Sequence, residues 1–110
     1  MIKLKLFQSE WEGLYNNPIQ YFNLLKKQNE VPISDFILQR RLRKAFLMQL
    51  PGLEKKCLTA KNKDGAKMVT LEYFEALAFL ELLKVYPIKQ TDEWLYNLIN
   101  MTINFLDNQL

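Results

Sequence analysis

The sequence predicts a mainly α, α+β single domain spanning 1–110: a compact helical bundle around a buried helix 71–86, with a short N-terminal strand. Three patterns carry this prediction. From Leu71 to Val85, apolar residues occupy almost every side of a helical wheel, as in a helix enclosed by others. Trp94, Leu95, Leu98, Ile99, Thr102, Phe105 and Leu106 recur at helical spacing and mark one dry face. Ile2, Leu4 and Leu6 alternate with Lys3, Lys5 and Phe7, the period-two signature of a half-buried strand.

The remaining elements follow from start and stop signals. Ser9 and Glu12 have capping-box spacing for a short helix reaching Tyr15. Asn17-Pro18 then reads as the N-cap and first position of a second helix, which would bury Ile19, Phe22, Leu24 and Leu25 and stop before Val31-Pro32. Ser34 caps a third helix, which Pro51-Gly52 would end. Residues 55–70 admit two readings. One is a small β-hairpin turning at Asp64-Gly65; the other is a short helix ending near Lys61 followed by a loop. The turn chemistry and Met68-Val69-Thr70 favour the hairpin. Thr70 and Thr91 stand as caps for the last two helices, with Pro87 between them.

With 110 residues, 49% apolar and 25% charged, the chain can fill one core without disulfides. Cys57 is the only cysteine, which suits a reducing, cytoplasmic setting. The start, Met-Ile-Lys-Leu-Lys-Leu-Phe, lacks the apolar run of a secretory signal, and no long uncharged stretch predicts a membrane span. The net charge of +3 conceals a segregation. Residues 33–67 hold nine Lys or Arg against three acids, and residues 68–110 hold two Lys against six acids. Such asymmetry marks either an interaction face or two regions that neutralise one another inside the fold.

The sharpest local feature is Arg40, Arg41, Arg43 and Lys44, a run containing all three arginines of the chain. On a helical wheel for 35–50, Leu38, Leu42, Ala45 and Phe46 gather within about one third of the circumference and form the expected core face. The opposite side interleaves the cations with Phe36, Ile37, Leu47 and Met48. Arginine beside large apolar groups is the composition of an interface. Alternatively, the apolar members pack under neighbouring elements with the arginine stems laid over them. The candidate partner-binding set is therefore Phe36, Ile37, Arg40, Arg41, Arg43, Lys44, Leu47 and Met48. A nucleic-acid ligand would instead take Arg40, Arg43 and Lys44 with Lys55, Lys56, Lys61, Lys63 and Lys67.

Catalysis is disfavoured by what the sequence lacks. There is no histidine, and both serines, Ser9 and Ser34, stand where helix caps are wanted. Cys57 follows Lys55 and Lys56, whose charge would lower a thiol pKa, but it has no histidine beside it in sequence or elsewhere. Gly13, Gly52 and Gly65 form no phosphate loop. Glu54-Lys55-Lys56 has the Glu-x-Lys spacing of one Mg²⁺ nuclease class, yet its candidate aspartate, Asp35, already sits in a helix first turn. No catalytic residue, metal site or cofactor is expected.

No residue motif ties the chain to a family. In length, missing catalytic groups, aromatic content and its Arg/apolar face, it is similar to small inhibitors encoded by phages and mobile elements, anti-CRISPR proteins among them. That likeness implies a non-catalytic protein that occupies a nucleic-acid-processing protein or a ribonucleoprotein. One alternative is a DNA- or RNA-binding protein using the same basic helix. Another is a homo-oligomeric assembly protein with Phe36, Ile37, Leu47 and Met48 as its seam, though the cations would repel across a two-fold axis. The expected state is a monomer or weak dimer with a protein, protein–nucleic-acid, RNA or DNA partner and no membrane.

Overall fold

In the computed structural model, residues 1–27, 47–88 and 92–110 are described. Strand β1 (Ile2–Phe7) buries Ile2, Leu4 and Leu6 and exposes the residues between them, as its alternation predicts. It runs directly into helix α1 (Gln8–Leu14). The cap therefore lies two residues earlier than the Ser9/Glu12 reading placed it. Phe7 is the extended cap residue, and Glu10 accepts its N–H at 2.9 Å. Ser9 lies inside the helix.

Asn17-Pro18 does not restart the chain. Residues Tyr15–Ile19 form a π-turn that carries α1 into α2 (Gln20–Lys27). Proline lacks the N–H that an α-helical bond needs there. The widened turn absorbs it: the Gln20 N–H reaches back to Tyr15 O, and the Asn17 side-chain amide donates to Gly13 O at 2.8 Å. Ile19 and Phe22 are buried as expected, whereas Leu24 is exposed.

Residues 55–61 are helical, which overturns the hairpin. Helix α3 spans Leu50–Lys61 and buries Leu50, Leu53, Cys57 and Ala60, an i, i+3, i+7, i+10 stripe that starts before the hairpin window. Pro51 and Gly52 open this helix; the helix read from Ser34 before them lies largely outside the described residues. Pro51 falls in the first turn, where its missing N–H would be unpaired anyway. Gly65, at φ 76°, turns the chain from α3 into strand β2 (Ala66–Leu71). So 66–70 is extended as read, but its partner is the N-terminal strand.

The two strands are antiparallel, from Ile2 opposite Leu71 to Phe7 opposite Ala66. Gln8 N–H donates to Gly65 O at 3.0 Å, which makes that pair a hydrogen-bonded one. Pair types alternate along an antiparallel ladder, so Ala66, Met68 and Thr70 turn their backbone groups away from β1.

Helix α4 (Tyr73–Val85) starts after Glu72, not at Thr70, which is still paired with Lys3 in the sheet. Glu75, in the first turn, accepts the Glu72 N–H at 2.9 Å. The helix is the central one, burying Ala76, Ala78, Phe79, Leu80, Leu82 and Leu83, although Tyr73, Phe74 and Val85 reach its exposed end turns. Asp92 caps helix α5 (Glu93–Gln109) by accepting the Leu95 N–H at 3.0 Å; Thr91 lies outside the described residues. Leu95, Leu98, Ile99, Thr102 and Leu106 form the dry face of α5, while Trp94 is exposed. The buried residues of both strands and of the five described α-helices make one continuous core. The fold is thus mainly α with a small two-stranded sheet.

Candidate functional site

Of the residues the sequence singles out for binding, Phe36, Ile37, Arg40, Arg41, Arg43 and Lys44 lie outside the described residues, as does Asp35. The flanking pair separates. Met48 is 68% exposed, whereas Leu47 is buried in the core and so is not an anchor on an open face.

The lysines of 55–67 also divide. Lys55, Lys56 and Lys67 come together around an open cleft of about 390 Å³ between α3 and β2. Gly52, Thr59 and Ala60 of the helix and Met68, Val69 and Thr70 of the strand complete its walls. Helical spacing explains one wall, because 52, 55, 56, 59 and 60 fall on one side of α3. The other wall is the side of β2 that carries no strand.

One end of this cleft is closed by charge. The Lys56 ammonium lies 2.6 Å from Glu75 Oε1 and donates to Thr70 O at 2.9 Å. That single lysine neutralises a carboxylate and satisfies an outward strand carbonyl. Gly52 belongs to the same arrangement, since a Cβ there would lie 3.1 Å from Glu75 Oε2. Elsewhere, Lys61 sits over the Tyr15 ring at 4.7 Å, a cation–π contact, while Lys63 lies on the exposed turn after α3.

The other end is open. Among the described residues, Lys55 and Lys67 meet no carboxylate within ion-pair distance. Among the described residues, the acids of 68–110 therefore cancel the lysines of 55–67 only in part. Glu75 meets Lys56, and Glu81 lies against Lys84 of its own helix at 3.9 Å, with Asp107 3.6 Å from the same ammonium.

Among the described residues, the groups weighed for catalysis are dispersed or blocked. Glu54 and Lys56 lie two residues apart on a helix, about 200° around its axis, so the Glu-x-Lys spacing does not converge. Cys57 faces the core, and burial pushes its thiol up to about 12, against the lowering expected from Lys55 and Lys56. Among the described residues no three His, Cys, Asp or Glu side chains gather to hold a metal ion, and no helix is long and apolar enough to cross a membrane.

Sequence reasoning missed the exposed edge of β2. The period-two stretch 66–70 was legible, but assigning its partner to 55–61 hid the fact that one side stays unpaired. In comparisons with known proteins, no family model, no curated protein and no solved structure matches this chain.

Proposed function

We propose that this chain is a binding protein without catalytic activity, which engages an acidic or phosphate-bearing macromolecule through its basic surface. The observation that carries this reading is the open end of the α3/β2 cleft, where Lys55 and Lys67 face an accessible concavity without counter-charge among the described residues. Lys56, in the same cleft, is by contrast taken up by Glu75. The arginine run at 40–43 adds charge of the same sign in the sequence. The partner class we favour is a nucleic-acid-processing protein or ribonucleoprotein in the cytoplasm. The action is steric occupation, as in the phage and mobile-element inhibitors that the chain is similar to in composition, with the chain a monomer or weak dimer. A protein surface is favoured over a bare phosphate track because Lys56 and Lys61 are already engaged, leaving the described cations too scattered to follow a nucleic-acid backbone.

Affinity purification from lysate, with and without nuclease, tests this reading. The wild type is compared with Arg40→Glu/Arg43→Glu and with Lys55→Glu/Lys67→Glu. The expected result is a protein that survives nuclease, co-purifies with the wild type and is lost with at least one charge-reversed pair. Recovery of RNA or DNA alone, removed by nuclease, would replace the protein partner with nucleic acid. Equal capture by all three proteins would reject the basic surface.

A further inference from the structure

We propose that the outer edge of β2 takes up an extended acidic segment of a partner protein as a third strand, seated in the cleft against α3. The inference rests on the binding reading above and specifies its mode.

The backbone supplies the first argument. Ala66, Met68 and Thr70 point their N–H and C=O groups away from β1, and the long-range backbone bond from Gln8 to Gly65 fixes that alternation. Only one of these outward groups has a partner inside the described fold: Thr70 O, which Lys56 occupies. An unpaired row of this kind is a template for another strand.

The two edges of the sheet also differ in protection. The outward residues of β1 place Lys3 and Lys5 on the solvent face, and lysines on an edge strand discourage pairing with another chain. The corresponding positions of β2 are Ala66, Met68 and Thr70, none of them charged, and Met68 is 47% exposed. The cleft beside β2 measures about 390 Å³, within the range of about 300–1,000 Å³ typical of ligand sites.

Charge selects the occupant. Carboxylates on the incoming strand would meet Lys55 and Lys67, and its backbone amides would pair with Met68 and Ala66. A second copy of this chain is disfavoured, because two β2 edges side by side would bring Lys55 and Lys67 against their own equivalents. Nucleic acid can use the two lysines but has no alternating amide row for the strand edge.

The test uses the full, isotope-labelled chain and a synthetic peptide of alternating glutamate and valine. Binding is expected to shift the Ala66 and Met68 amide signals and to slow their hydrogen exchange. The same peptide N-methylated at every second amide keeps its charge but cannot complete a ladder, and its Kd is expected to rise tenfold or more. Met68→Pro removes the outward N–H without touching a β1–β2 bond and is expected to weaken binding similarly. Lys55→Glu/Lys67→Glu should abolish binding while leaving the circular dichroism spectrum unchanged. If Met68→Pro fails to fold, the N-methylated peptide decides the question. Absence of peptide binding, equal binding of the methylated peptide, or preference for a thymidine oligonucleotide would overturn the proposal. If one of these occurs while lysate purification still captures a protein through the basic surface, only the strand-addition mode falls.

Discussion

Helix α3 carries two faces that share the same short sequence and behave in opposite ways. Leu50, Leu53, Cys57 and Ala60 are withdrawn from water, and Leu53 is fully buried. Gly52, Lys55, Lys56 and Thr59 look into the cleft. Lys56 and Cys57 are neighbours in the chain, yet about 100° of rotation sends one to a salt bridge and the other into the core. The core face supplies most of the stability, since burying a leucine side chain contributes about 2–3 kcal/mol. The cleft face contributes less: Lys56 is taken up by Glu75, while Lys55 meets no carboxylate among the described residues. Sequence proximity therefore decides neither role; the helical face does.

The strongest way to break that contrast is to cut the core face. Leu53→Ala opens a cavity where the helix meets the core and should destabilise the domain by about 3 kcal/mol, read from urea denaturation. A smaller loss is expected at the closed end of the cleft. Glu75→Ala removes the acceptor of the Glu72 N–H and the partner of Lys56 together, for about 2 kcal/mol. Glu75→Gln keeps an oxygen for the cap and should recover about half of that loss. If the two variants are equally unstable, the charge pairing with Lys56 dominates and the cap contributes little.

Cys57 gives the contrast a pH dependence. Its thiol stays protonated in the folded chain up to about 12, from an ordinary value of 9.0. Above about pH 9 the unfolded chain releases that proton and the folded chain does not, so folded stability falls as pH rises towards 12. The slope should approach about 1.4 kcal/mol per pH unit. Tyr86, raised by its own burial and by Tyr21 and Asp92 beside it, adds a loss of the same sign at higher pH. Cys57→Ala isolates the thiol: the alkaline slope between about pH 9 and 10 should flatten in that variant. An unchanged slope would show that the thiol reaches solvent.

The same helix shows why part of the molecule was legible in its sequence and part was not. The strand at 2–7 and the central and C-terminal helices have long, regular patterns, and the structure reproduces them. Helix α3 does not announce itself. Its buried stripe is short and includes a cysteine and an alanine, and Leu58 is exposed on the wrong side. Pro51-Gly52 also carries opposite meanings at the two ends of a helix, and only packing chooses between them. Two caps moved by two residues because Phe7 and Glu72 fill cap positions through backbone geometry, with Glu10 and Glu75 supplying the acceptors. As for the candidate site, the sequence named Lys55, Lys56 and Lys67 but could not pair them. Which lysine is neutralised depends on Glu75, 19 positions beyond Lys56.

The smallest effect on stability should accompany the largest effect on binding. Lys55 is exposed and Lys67 half-buried, and neither faces a carboxylate among the described residues. Reversing them removes no interaction that the fold uses, and surface changes of this type usually stay within about 0.5 kcal/mol. Lys55→Glu/Lys67→Glu is therefore expected to unfold at the wild-type urea midpoint while losing its partner. Lys56→Glu is the informative control. It sits in the same cleft with half the charge change, but it would place two carboxylates together at Glu75 and strip Thr70 O of its donor. It should lower stability by more than the 55/67 pair combined. Equal stability in both variants would mean that the closed and open ends of the cleft are not distinguished by the Lys56–Glu75 contact, and the division of α3 into a structural and a binding lysine would fail.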